Sequence, residues 1–196
     1  MFSLLRCAAG CGRTALSGSH LCAAHTADPD KEARRIGAYI LERKEIKDVN
    51  ASGLSFVNVD FSHRIFYGCN FMRASFSLCL FTGAELSMCF FDFGKLISCD
   101  FSGGYLQFLS FAGASIHNCT FENSELIHLN YGGARIGDCT FNGSDLYNSR
   151  FINAEISSSD FIDCNLKKTF FINAKRSNIS FKSSNTAEAV FETEEQ

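Results

Sequence analysis

The chain has one proline, no tryptophan and only three methionines, so neither a Pro-rich linker nor a polyproline segment is available to it. It has no apolar run long enough to span a bilayer, and Phe2 to Leu5 is too short for the apolar core of a signal peptide. A cytoplasmic protein with no membrane association is expected. An excess of charge is also missing: 18 Lys and Arg against 21 Asp and Glu leave a net charge of −3. That balance gives no bulk electrostatic case for direct nucleic-acid binding or for a lipid surface. Sequence patterns of catalysis are lacking too. No nucleophile motif is present, and His63, His117 and His128 fall in three different columns when the chain is counted in twenties, so no enzymatic activity is expected.

What is abundant is phenylalanine, 21 residues of it, and it is periodic. From Phe56 to Phe181 every fifth position is Phe, Leu, Ile or Tyr, with Arg176 as the one exception. A period of five is neither the 3.6 of an α-helix nor the 2 of a flat strand, so the chain must turn a corner every five residues. Two positions before each of these lies a second inward candidate, usually small: Ala74, Cys79, Ala84, Cys89, Gly94, Cys99, Gly104, Ala114, Cys119, Ser124, Ala134, Cys139 and Cys164 among them. Gly68, Gly83, Gly103, Gly113, Gly133 and Gly143 all fall two residues after a central position, where a tight corner calls for positive φ.

Sorting the central positions into columns of twenty gives the number of corners per turn. One column is Phe61, Phe81, Phe101, Phe121, Phe141, Phe161 and Phe181; ten residues away runs Phe71, Phe91, Phe111, Tyr131, Phe151 and Phe171. We call these the Phe side and the Phe/Tyr side. Between them lie a leucine side, Phe66, Leu86, Leu106, Leu126, Leu146 and Leu166, and an isoleucine side, Phe56, Phe76, Leu96, Ile116, Ile136, Ile156 and Arg176. A square coil of four five-residue sides stacks like on like in this way, at the β spacing of about 4.8 Å. The run resembles the pentapeptide-repeat family, whose repeat is a small residue, a polar residue, a central Leu or Phe and two more polar residues. The resemblance implies an all-β solenoid, a right-handed quadrilateral β-helix; residues 51–183 give it about 6.5 coils. A repeat of this kind specifies fold and says little of function.

The non-repeating segments read differently. Cys7, Cys11, Cys22 and His25 form the pattern C-x3-C-x10-C-x2-H, three thiolates and an imidazole that suit tetrahedral Zn²⁺, with His20 as a competitor for the fourth place. Residues 1–27 are therefore expected to form a structural zinc knuckle. Four protein ligands leave no open position for a catalytic metal. Asp28 followed by Pro29 starts a helix, with Ala33, Ile36, Gly37, Ile40 and Leu41 on one apolar face, predicted to run to about Ile46. Residues 28–50 thus supply a cap for the open end of the coils and a linker, and residues 184–196 an acidic tail carrying Glu192, Glu194 and Glu195. The repeat breaks at Arg176 and ends at Phe181, with Phe191 available to pack on the last coil. The repeat cysteines occupy inward positions and are expected as buried free thiols, compact apolar fillers and neither disulfides nor a metal ladder.

Two features of the outward positions bear on function. Apolar residues gather at Met88, Phe90, Phe93, Tyr105 and Phe108, with Leu78 and Leu80 on neighbouring coils; this is either a contact surface or ground covered by the helix folding back along the rod. Carboxylates gather on one flank, Glu85, Asp100, Glu122, Glu125, Asp145 and Asp160, and between Ser77 and Asp163 ten acidic residues against three basic ones leave the middle of the rod near −7. The first feature points to a non-catalytic interaction scaffold for a protein partner. The second, through the resemblance to gyrase-protecting, quinolone-resistance members of the family, implies the alternative of a DNA-mimicking modulator of a type II topoisomerase, working as a homodimer.

Overall fold

The computed structural model describes residues 5–192, and the chain forms a β-solenoid of about seven turns preceded by one α-helix. Glu194 and Glu195 of the expected acidic tail lie outside the described residues. Each rung pairs in parallel with the rung twenty residues on, as in Glu45↔Ile65 and Arg135↔Glu155, so one turn is four pentapeptides. The leucine side is a five-stranded parallel sheet of three-residue strands running from Glu45–Lys47 to Glu125–Ile127. The isoleucine side is a seven-stranded sheet from Ser55–Val57 to Lys175–Ser180. The two aromatic sides are joined by single bridges, Asp60↔Leu80↔Asp100 on one and Asn70↔Phe90↔Ser110 on the other.

The interior follows from the columns. On the Phe side, Phe101, Phe121 and Phe141 stack at 5.0 and 4.9 Å between centroids with rings within 6° of parallel. On the Phe/Tyr side, Phe111, Tyr131 and Phe151 do the same at 5.1 and 4.6 Å. The two stacks meet edge to face across the axis, Phe121 against Tyr131 at 6.4 Å and 89°, an arrangement the ring quadrupole favours. Within the ring stacks Tyr131 adds a hydroxyl, which is buried without a hydrogen-bond partner.

The small inward positions do more than fill space. Ser124 Oγ donates to Phe101 O at 3.0 Å and accepts the Gly104 N–H at 3.1 Å, tying three pentapeptides together. Ser144 repeats the motif one coil on. The repeat cysteines, free and buried as expected, imitate serine: Cys79 Sγ donates to Phe56 O at 3.5 Å and Cys119 Sγ accepts from Cys99 N at 3.4 Å. Neighbouring thiols and burial push Cys99 and Cys119 up to about 12.

The helix is Pro29–Leu41, capped by Asp28, whose carboxylate accepts the Lys31 N–H at 2.8 Å. Ala33, Ile36, Gly37 and Ile40 are buried, and Gly37 lies over Phe56, so the helix covers the end of the coils. It stops short of Ile46 because Arg64 turns its guanidinium onto the last carbonyls, Leu41 O at 3.0 Å and Arg43 O at 3.2 Å, a cation satisfying the orphan acceptors of a helix C-terminus. Leu41, assigned to the buried face, is exposed. Glu45–Lys47 already belongs to the leucine sheet, so the stretch expected as helix end and linker is the first coil. At the other end the coil path passes Phe181 and continues to Phe191, which stacks on Phe171 at 5.2 Å under the Arg176 guanidinium.

Candidate metal centre and interaction surface

The knuckle is built from turns. Cys7 N–H bonds to Arg13 O at 2.8 Å and Gly10 N–H to Cys7 O at 3.0 Å, closing a loop that brings Cys11 back beside Cys7. Gly10 and Gly12 take φ of 71° and 75°, which a side chain would resist. A short helical turn, with His25 and Thr26 N–H both on Cys22 O, places His25 on the same point as Cys22. The unit is anchored on the first coil: the Asn50 side chain donates to Ala15 O at 2.6 Å, and Asn50 N–H donates to Ser17 Oγ at 2.8 Å.

The four ligand atoms of Cys7, Cys11, Cys22 and His25 lie within 4.8 Å of one another. Cys11 Sγ is 3.8 Å from Cys22 Sγ, and His25 Nδ1 is 3.5 Å from Cys7 Sγ and 3.4 Å from Cys22 Sγ. A tetrahedral ion with Zn–S of about 2.3 Å and Zn–N of about 2.0 Å requires sulfurs about 3.8 Å apart and sulfur and nitrogen about 3.5 Å apart. The donor set therefore fits the ion. His20 is not in the cluster; it contributes its backbone carbonyl to Ala8 N–H. The Cys22 amide donates to Cys7 Sγ at 3.4 Å and holds that thiol down to about 6, favouring the thiolate that ligation needs.

Of the apolar residues singled out in the sequence, Met88, Phe90, Phe93, Tyr105 and Phe108 are all exposed, and the helix is packed on Ser55–Val57. Tyr105 opens the leucine side and Met88 and Phe108 close it, while Phe90 and Phe93 sit at the two ends of the adjoining Phe/Tyr side. Leu78 and Leu80 fall half a turn away, on the opposite side of the rod, and are not part of this surface.

Three of these residues occupy the corner at which the sequence pattern called for positive φ. The second residue after each central position is left-handed along the rod, and Gly or Asn fills it at Gly68, Gly103, Asn118, Asn148 and Asn173. Met88, Phe93 and Phe108 adopt the same conformation at φ 54°, 56° and 55°. A residue with a Cβ gives up about 1–2 kcal/mol there, and Asn or Gly would give up less. The Phe93 ring lies over Gly113, where a Cβ would come within 2.7 Å of it, and the Arg73 guanidinium covers the ring at 5.4 Å. Phe108 stacks on His128 at 4.9 Å and 8°. His128 is fixed in turn by Asn148 Nδ2 at 2.7 Å from its Nδ1 and by the Tyr147 ring at 5.8 Å.

The acidic flank divides. Thr82 and Thr140 hydroxyls donate to Asp100 at 3.1 Å and Glu122 at 2.8 Å, and Asp100 also accepts the Ser102 N–H, so these carboxylates hold coils together. Glu85, Glu125 and Asp160 are exposed. Asp145 is half-buried and accepts Tyr147 N–H and Asn165 Nδ2 through Oδ1. Two shallow clefts lie at seams: one of about 230 Å³ between knuckle and rod, lined by Arg13, Cys22, Gly53 and Arg73, and one of about 530 Å³ between helix and isoleucine side. Among the described residues no helix is long and apolar enough to cross a membrane.

A four-sided coil with a five-residue repeat defines a class of β-solenoid, and family comparison gives it a name. A family model described as pentapeptide repeat region matches residues 114–191 and one described as pentapeptide repeats (8 copies) matches residues 55–92. The chain belongs to the pentapeptide-repeat family. No curated protein matches it. Solved structures similar to it include HetL, a pentapeptide repeat protein involved in heterocyst differentiation regulation in the cyanobacterium Nostoc sp. strain PCC 7120, at 13% identity over 81% of this chain and 95% of that one, with a TM-score of 0.27. Rfr23 from the cyanobacterium Cyanothece 51142 matches at 16% identity over 76% and 99%, TM-score 0.28. QnrB1, a plasmid-mediated fluoroquinolone resistance protein, matches at 15% over 72% and 83%, TM-score 0.25.

Proposed function

We propose that this protein is a non-catalytic interaction scaffold whose partner surface is the outer face of the leucine side together with its corner at Met88 and Phe108. The observation that carries the reading is the placement of large apolar side chains at exposed left-handed corners, where Gly or Asn would cost the fold less. Phe108 is 53% exposed and Met88 46%, and the rings behind Phe108 are already ordered by Asn148 and Tyr147, which lowers the entropy lost on binding. The knuckle, holding a structural Zn²⁺ on Cys7, Cys11, Cys22 and His25, and the helix close one end of the rod and leave this face open.

Asparagine tolerates the left-handed corner, so Met88→Asn with Phe108→Asn removes the surface without unfolding the rod. In affinity capture from the native host, wild-type protein is expected to retain a partner that the double variant loses while melting no lower. Equal retention by both proteins overturns the reading.

The second reading, a DNA surrogate for a type II topoisomerase, is favoured by the ten carboxylates against three basic residues in the middle of the rod. It requires inhibition or protection of gyrase supercoiling at micromolar protein, and the loss of that effect in the Glu85→Lys, Glu125→Lys, Asp145→Lys triple variant. An effect that survives charge reversal removes this reading.

A further inference from the structure

The leucine side carries two edges of opposite chemistry. Along one edge the parallel register places Glu85, Tyr105 and Glu125 on successive rungs, with Asp145 bridged to Glu125 on the next. Along the other edge stand Met88 and Phe108. Glu85 and Glu125 have no ion-pair partner among the described residues, and no Lys or Arg lies on this side between Arg64, which is turned onto the helix, and Lys167 at the far end. An acidic edge beside an aromatic edge on a flat sheet face is the complement of a segment that is cationic on one flank and apolar on the other.

Spacing selects the conformation of that segment. Rungs are about 4.8 Å apart, so Glu85 and Glu125, two rungs apart, are separated by about 9.6 Å along the rod, and Asp145 follows about 4.8 Å further on. A helix lying parallel to the rod offers side chains at about 4.5–6 Å for positions i and i+3 or i+4 and about 10.5 Å for i+7. An extended strand repeats on one face every 6.7 Å or so and falls out of step within two rungs. We propose that the leucine side binds a basic amphipathic helix of a protein partner, with Lys or Arg at i, i+7 and i+10 or i+11, about 0, 10.5 and 15–16.5 Å along its axis, facing Glu85, Glu125 and Asp145, and an apolar stripe against Tyr105, Met88 and Phe108. This rests on the scaffold reading above and adds the partner's chemistry to it.

The test selects a display library of random peptides of about 18 residues, roughly 27 Å as a helix, on the full-length protein, with counter-selection on the Met88→Asn, Phe108→Asn variant. Patch-dependent clones are expected to be enriched in Lys and Arg at helical spacing. Their affinity should fall about three- to tenfold in Glu85→Gln with Glu125→Gln, and again as salt is raised from about 0.05 to about 0.3 M. Patch-dependent clones with no excess of Lys and Arg would overturn the basic helix and leave the surface standing. Absence of any clone that distinguishes wild type from the patch variant would overturn the surface itself, and the inference with it.

Discussion

The knuckle and the coils are stabilised by opposite means. In the coils every large side chain meets its counterpart twenty residues away, and the same contact is made again on the next turn; Phe121 is completely buried between Phe101 and Phe141. Among the described residues of the knuckle only Cys7, Ala15, Leu16 and Cys22 are buried, and two of those four are ligands of the candidate ion. Repetition suffices for the first region. The second has too little core to hold four chemically reactive side chains together unless an ion does so.

The sharpest way to break that contrast is to remove the metal. Protein purified without added zinc is expected to carry close to one equivalent, and Cys22→Ser close to none, with the knuckle becoming protease-sensitive while the β-sheet circular dichroism of the coils stays unchanged. Structural zinc sites in small peptides contribute on the order of 10 kcal/mol of apparent binding energy, so the loss should be all or none. Equal zinc in the two proteins would remove the assignment.

Within the coils, Phe121→Ala should cost about 3–5 kcal/mol, because neighbouring rings held in parallel stacks cannot collapse into the space. Thr120→Ala, one residue away and directed outward, should cost much less in the same chemical denaturation series; similar losses would contradict the inward column.

The thiol ladder gives a smaller effect with a defined pH window. The folded thiols of Cys99 and Cys119 lie up at about 12, against an ordinary 9.0, because the adjoining thiol and burial disfavour the thiolate. Between those values the unfolded chain binds fewer protons than the folded one. The stability contributed is full below about pH 9 and is lost as the pH rises towards 12. Labelling by a thiol reagent at pH 8 should reach Cys11 in zinc-free protein well before Cys99 or Cys119, and rapid modification of the latter pair would show the ladder to be open. Smallest of all, Tyr131→Phe should leave stability unchanged or raise it by up to about 1 kcal/mol, since the hydroxyl it deletes is buried without a partner. A marked loss on thermal melting would reveal a bond that hydroxyl does make.

What could be read from residues alone follows the repeat. Because Phe61 and Phe81 or Ile116 and Ile136 occupy equivalent places one turn apart, a count along the chain already identifies the contacts, and the interior, the four sides and the inward cysteines were legible. The gathering of Cys7, Cys11, Cys22 and His25 was legible from spacing, and the turn that follows Cys22 places His25 there and leaves His20 out. Nothing local announced that Arg64 would end the helix at Leu41 or that the coil would begin at Glu45, whereas Phe191 packs on the last coil as the sequence allowed.

The sequence by itself thus determined the rod, since a fixed period makes every long-range contact a repetition of one local rule. Counting in twenties likewise puts Glu85, Tyr105 and Glu125 on one edge and Leu78 and Leu80 half a turn from Met88 and Phe90. Only the tertiary structure decided what covers the outward residues: the helix packs on Ser55–Val57, and Met88, Phe90, Phe93, Tyr105 and Phe108 stay exposed. The helix lies outside the repeat, so no period fixes where its apolar face comes to rest.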